Sequence, residues 1–344
     1  MCMLTRLLQG TADFMSGWGT ALVLVVAIAG GAVTGLTLPE AGGLLSGQID
    51  FTILLIVFLL LFEVRIQSIL ASLNRVSFIA VALIANFVIV PALGFAIASI
   101  FLSNHPLFFI GLVVYFMSPC TDWFLGFTRL AKGNTALGAA LLPINMIVQL
   151  LLYPVYLDVF GFNTAAVGGG EIFQTLWQWF LVPLLAAIAL RLLAELTLRK
   201  AQFDFVQSIV SSVVPILLAV LVWQITAANI GTLLAHVPVF LLMLGAIVLF
   251  FFLTYVLSEA ISKIMRLSYE DRVLMTMTTA ARNAPLMLAL TIVAVPDQPI
   301  VYSAIIIGML LELPHLVALK IILVRRRADA SSDLSVADGE PLIR

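Results

Sequence analysis

Three ionisable residues, Asp122, Arg282 and Glu312, stand inside long apolar runs of the sequence. A charge at the bilayer centre costs at least ~2.5 kcal/mol on insertion scales, so charges kept there ordinarily serve a substrate or ion path. Asp122 closes the stretch Ser118-Pro119-Cys120-Thr121-Asp122, and Arg282 belongs to Ala281-Arg282-Asn283-Ala284-Pro285. In each stretch a proline, Pro119 or Pro285, removes a backbone donor and frees a carbonyl one turn earlier, which can line a cavity. The chemistry on offer is ligand and ion binding. Cys120 adds a thiol beside the expected positive end of a half-helix, an arrangement that suits a soft, thiophilic ligand. Asn145 and Gln149, one turn apart on one helical face, and Glu312 place more polar groups alongside, with Thr121 and Asn283 at the breaks themselves. Each feature has a structural alternative: a proline kink, an Asp122–Arg282 ion pair holding a crossover, a cysteine that is a small hydrophobe, or interhelical hydrogen bonds.

These residues have to be carried by membrane helices. Of 344 residues, 62% are hydrophobic and only 10% charged, against roughly a quarter charged in soluble domains, and the mean hydropathy is +1.17. Apolar runs long enough to span roughly 30 Å of hydrocarbon fall at 18–38, 44–62, 76–102, 107–127, 134–157, 172–190, 205–228, 237–257, 273–293 and 300–324. The expectation is an all-α membrane protein of about ten transmembrane helices in contact with a lipid bilayer. The breaks fall in helices 4 and 9.

Lys and Arg alternate along the chain. Arg6, Arg65, Arg75, Arg129, Lys132, Arg191, Arg199, Lys200, Lys263, Arg266, Arg272, Lys320 and Arg325 to Arg327 fall on one side of the membrane, and the opposite loops hold none of them. Cytoplasmic loops carry this excess, so a multi-pass plasma-membrane protein with both termini cytoplasmic is expected. Arg282 alone breaks the rule. A shift of roughly 163 residues lays helices 1 to 5 over helices 6 to 10 and puts Thr128 on Thr291, Met146 on Met309 and Gln149 on Glu312. Five is odd, so the second half enters from the other side, an inverted repeat as in secondary transporters. The boundaries are then a cytoplasmic segment 1–17, a first five-helix repeat 18–160, a second 172–324 and a disordered cytoplasmic tail 328–344, with Gly168 to Gly170 at the joint.

Several classes drop out. No basic patch interleaved with aromatics suggests nucleic acid, and no metal-ligand cluster, Ser-His-Asp set or phosphate loop suggests an enzyme or a cofactor. No appended signalling domain suggests a sensor. Cys2 and Cys120 are too far apart to suggest a structural disulfide, and Asp13 and Gly17 interrupt any short signal-peptide core. A homo-oligomer is compatible with all of this.

At Pro119-Cys120-Thr121, at the Ala-Lys-Gly-Asn run from Ala131 to Asn134, at Asn283 and at Leu311-Glu312-Leu313-Pro314, the sequence resembles the bile acid:sodium symporter superfamily. Within it, the sequence is most similar to the arsenite permeases of the arsenical-resistance type 3 class. The resemblance implies ten helices with broken helices 4 and 9 crossing, a core of helices 3 to 5 and 8 to 10, and a panel of helices 1, 2, 6 and 7. It also implies a role for Cys120 in moving arsenite. Where sodium-coupled members carry a Ser-Asn pair and a Glu with a Gln four residues later, this chain has Phe124, Leu125, Thr278 and Arg282. These are poor sodium ligands, and a guanidinium there implies that Arg282 replaces the sodium charge or holds an anion. The Glu that arsenite permeases usually carry after the helix 9 Asn is absent, since Ala284, Pro285, Leu286 and Met287 follow.

The expected function is therefore a secondary transporter that exports arsenite or a related metalloid by alternating access, with protons as coupling ions. Cys120, Thr121, Asn145 and Asn283 are the expected substrate residues, Cys120 being the arsenic ligand, and Asp122, Arg282, Glu312 and Gln149 the coupling residues. Transport of a small organic anion is the alternative.

Overall fold

A computed structural model describes residues 18–38, 40, 45, 47–62, 75–120, 123–159 and 182–337. Cys2, Arg65, Thr121, Asp122, the joint at Gly168 to Gly170 and the expected start of helix 6 at Ile172 lie outside them. The regular elements are helical throughout the described residues: α1 Trp18–Thr37, α2 Ile49–Phe62, α3 Val76–Leu102, α4a Pro106–Phe116, α4b Trp123–Leu130, α5 Thr135–Val159, α6 Val182–Thr197, α7 Lys200–Leu234, α8 Val237–Ile264, α9a Tyr269–Ala280, α9b Ala284–Ala294 and α10 Pro299–Ala337. Five of these, in α3, α5, α7, α8 and α10, are long and apolar enough to cross a membrane. The short apolar helices α4a and α9b are halves of the two spans that the sequence marks as broken.

Two groups of helices form. In the first, α1 lies along α7, α6 on α2, and α2 on α7. Gly31 and Gly35 let the backbones of α1 and α7 meet: a Cβ at Gly35 would stand 2.3 Å from the Ala227 carbonyl oxygen, and one at Gly31 2.7 Å from that of Trp223. This is the small-residue contact expected where lipid supplies no hydrophobic drive between helices. The Trp223 indole N–H donates to Thr34 Oγ1 at 3.2 Å. In the second group, α4a packs on α3 and α10, α8 on α3 and α9a, and α9b on α10. The partition is that of panel and core.

Buried apolar side chains fall into two clusters. One joins α1, α2, α6 and α7 to α4a, α9b and the first half of α10. The other holds the start of α3, α4b, the start of α5, α9a and the second half of α10, and contains no residue of α1, α2, α6 or α7. Among the described residues, the apolar cluster that joins the panel to the core takes in the core half-helices away from the basic loops.

On the basic side the core is tied to itself. Asn134 caps α5, its Oδ1 accepting from the Leu137 N–H at 3.1 Å, while its Nδ2 donates to Asp271 at 2.8 Å. Arg75, at the start of α3, pairs with the same carboxylate. Glu259 on α8 takes Arg272 of α9a and Arg326 of α10. The Ala131-to-Asn134 run thus works as a joint: Lys132 turns with a φ of 58°, and the Tyr269 hydroxyl donates to the Ala131 carbonyl at 3.0 Å.

Two expectations need correction. Arg191 lies in the body of α6 rather than in a loop; it is buried, bonds Glu195 at 2.9 Å and caps α2 by donating to the Phe62 carbonyl at 2.6 Å. The segment from Ala328 to Ala337, read as disordered, continues α10. Propagating an existing helix adds one hydrogen bond per residue fixed, without a new nucleus.

Candidate functional site: the crossing of two broken helices

After α4a, at Ser118 to Cys120, and between α9a and α9b, at Ala281 to Asn283, the chain leaves the helix, and the two pieces lie antiparallel with Pro119 opposite Arg282. The Cys120 N–H donates to the Ala281 carbonyl and the Asn283 N–H to the Ser118 carbonyl, both at 3.0 Å. The prolines explain the break. Pro285 has no N–H for Ala281, four residues back, and that carbonyl is the one Cys120 takes. Asn283 then caps α9b, its Oδ1 accepting from the Leu286 N–H at 3.4 Å. The 163-residue shift carries Ser118, Pro119 and Cys120 onto Ala281, Arg282 and Asn283, so it exchanges these two hydrogen bonds. This is the pattern of a local two-fold axis through the crossing.

Arg282 is fully buried at this point. Its Nη1 donates to the Phe116 carbonyl at 3.1 Å, and its Nη2 to those of Thr278, at 3.3 Å, and Thr279. Phe116 ends α4a, and Thr278 and Thr279 lie in the last turn of α9a. The guanidinium therefore bridges the C-terminal ends of both first half-helices, where unpaired carbonyls and the negative dipole end favour a cation. It lies 5.7 Å from the Phe250 ring centroid, and that ring stacks on Phe116 at 3.9 Å. Among the described residues its side-chain hydrogen bonds all go to backbone oxygens. The expected pair with Asp122 falls outside those residues.

Glu312 supplies the neighbouring negative charge. Its Oε1 accepts from the Arg282 backbone N–H at 2.9 Å and its Oε2 from the Tyr115 hydroxyl at 3.3 Å. Gly308, one turn earlier on α10, makes room for the tyrosine: a Cβ there would sit 2.6 Å from the Tyr115 ring. Glu312, Tyr115 and Cys120 all lie within electrostatic reach of the guanidinium. Cys120 itself is buried at 1% exposure. No group of three or more His, Cys, Asp or Glu that could hold a metal occurs among the described residues.

A second polar group lies beside the crossing. Asn86 on α3 and Asn145 on α5 both donate from Nδ2 to Thr278 Oγ1, at 3.1 and 3.3 Å. Asn86 sits in a π-helical turn, Ala85–Ile89, a distortion frequent at functional sites. Pro91 follows and cannot bond the Phe87 carbonyl; the Tyr156 hydroxyl takes it instead. On α5, Asn145 bonds Thr278 of α9a, and Tyr153 bonds Thr291 of α9b at 3.0 Å. Gln149, midway between them on the same face, is thereby bracketed at the level of the helix 9 break. The structure thus gathers Pro119, Cys120, Arg282, Asn283, Pro285 and Glu312 at one crossing, with Asn145 and Gln149 alongside. Sequence reasoning missed Asn86 and Tyr115. A polar residue shortly before a proline in an apolar run, the mark that identified the other breaks, was present at Asn86.

The family model for the Sodium Bile acid symporter family matches residues 51–234. The chain belongs to that family. The arsenical-resistance protein Acr3 of Corynebacterium glutamicum is 26% identical to it over 252 residues, covering 70% of this chain and 68% of the relative. The symporter-family match runs from α2 to α7 and includes Cys120, Asn145 and Gln149. Arg282, Asn283 and Glu312 lie beyond it, so their arrangement is read from this structure.

Proposed function

We propose that this membrane transporter exports arsenite or a related metalloid across the plasma membrane, driven by protons, with the core rocking against the panel. The observation that carries this reading is the buried thiol of Cys120, held by its own backbone N–H at the crossing beside Arg282 and Glu312. The arsenical-resistance name of the relative agrees with a thiophilic cargo. Arsenite is mostly neutral As(OH)3 at neutral pH, so export against a gradient needs a coupled ion. Arg282 fills the space between two helix C-termini where a cation would otherwise be held, and a sodium ion and a permanent guanidinium exclude each other there. The coupling proton is assigned to a carboxylate, Asp122 or Glu312, of which Glu312 is the one held at the crossing among the described residues. Protonating it makes a poorer acceptor for the Arg282 N–H and loosens the crossing. With the basic side cytoplasmic, the apolar cluster that joins panel and core lies toward the outer side, which suits an exporter that loads its cargo from the cytoplasm.

An organic anion fits less well. Both Nη atoms of Arg282 are engaged by carbonyls, leaving only Nε without a partner among the described residues. Cys120→Ser tests the thiol. Arsenite transport into inside-out vesicles should fall at least about ten-fold, roughly 1.4 kcal/mol in the barrier, with protein yield unchanged. Undiminished flux would make Cys120 a small core residue and remove the main support for a metalloid cargo.

A further inference from the structure

Three side-chain amides, Asn86, Asn145 and Gln149, are each at least 98% buried, with exposures of 0, 0 and 2%. Asn86 Oδ1, Asn145 Oδ1, Gln149 Oε1 and Gln149 Nε2 have no hydrogen-bond partner among the described residues. Buried amides are ordinarily satisfied, and exceptions call for a missing partner. Turning the two asparagine amides does not remove the deficit. The Thr278 hydroxyl has one proton, so at most one amide oxygen can accept from it, and a turned amide merely exchanges an orphan oxygen for an orphan NH2.

The charge of the partner is constrained as well. Thr278 holds both asparagines through Oγ1, while its own carbonyl lies 3.3 Å from Arg282 Nη2. That permanent positive charge one residue away disfavours a metal cation at the amides. An anion would face the unpaired oxygens of these amides, three of the four amide atoms left without any partner among the described residues. What remains is an uncharged ligand that gives hydrogen bonds readily and can also accept them, which is the chemistry of a hydroxyl group.

We infer that Asn86 and Asn145, joined through Thr278 at the π-turn of α3, and Gln149, one turn from Asn145 on α5, form a binding site for an uncharged, hydroxyl-rich small solute of the trihydroxide class. The inference rests on the transport reading above for the purpose of the ligand, and on these four side chains for its chemistry. Under that reading the cargo is recognised first as a neutral hydroxide by the amides, and Cys120 adds sulfur affinity for those members that react with thiols.

Calorimetric titration of the purified full-length protein near neutral pH tests this with two probes: arsenite, and boric acid, a neutral trihydroxide without affinity for thiols. The intact protein should bind both. Asn145→Leu and Gln149→Leu should each weaken both probes at least ten-fold, whereas Cys120→Ser should weaken arsenite alone. Gln149 makes no hydrogen bond among the described residues, so Gln149→Leu should melt no lower than the intact protein, which separates lost binding from lost folding. Boric acid binding that depends on the amides, without arsenite binding, would leave this site standing while removing the metalloid reading. Arsenite binding that is unchanged in both leucine variants would overturn the site and leave the metalloid reading standing. Failure of the intact protein to bind either probe would overturn the site.

Discussion

Arg282→Ala should reduce transport by on the order of 100-fold, equivalent to roughly 2.7 kcal/mol in the barrier, and guanidinium ion at millimolar concentration should restore part of it. The reason is the position of the side chain between two helix ends. Removing the guanidinium strips hydrogen bonds from the carbonyls of Phe116, Thr278 and Thr279, and each buried acceptor left unpaired costs about 1–3 kcal/mol. Two half-helix C-termini would then face each other without a positive charge between them. A free guanidinium carries the same planar fork of donors and can re-enter that space. Lysine, a point charge without the fork, should rescue less well than arginine does. Full activity in Arg282→Ala, measured as vesicle flux at matched protein yield, would show that the cation between the helix ends is dispensable.

Glu312→Gln should abolish accumulation against a gradient while leaving downhill flux within a few-fold. Glutamine keeps an oxygen to accept the Arg282 N–H and a polar group for the Tyr115 hydroxyl, so both contacts of the carboxylate have a counterpart and the protein should fold. What it cannot do is gain or lose a proton. The variant is fixed in the form that resembles protonated Glu312, so its flux should also lose its dependence on pH. Steady-state accumulation should drop to about the equilibrium ratio of one, because a carrier that exchanges no proton transmits no proton gradient. Retained uphill transport would move the coupling proton to another group.

Much of this site was legible in the sequence because local rules act there. Pro119 and Pro285 break their helices for reasons confined to four residues of chain. The 163-residue shift then placed the breaks opposite each other, and the structure pairs residues related by that shift. Charges in apolar runs singled out Arg282 and Glu312 in the same way. The partners were not legible. Arg282 bonds the carbonyl of Phe116, 166 residues away, and a backbone oxygen has no mark in a sequence. The expected carboxylate partner, Asp122, lies outside the described residues, and the helix C-termini that hold the guanidinium carry no side-chain charge by which a sequence could mark them. Tyr115 reaches Glu312 only because Gly308 leaves its ring room, a contact between helices that no periodicity reveals. The helical course of residues 328–337 was missed for the opposite reason: polar composition was weighed above the propagation of a helix already formed.

Proton coupling without sodium is tested most directly by arsenite uptake into inside-out vesicles containing the unmodified protein, with the two ion gradients varied separately. Uptake should persist when sodium is replaced throughout by choline and should collapse when the pH gradient is dissipated. Accumulation that requires a sodium gradient and survives loss of the pH gradient would contradict it, because it needs a cation site in the place that Arg282 occupies.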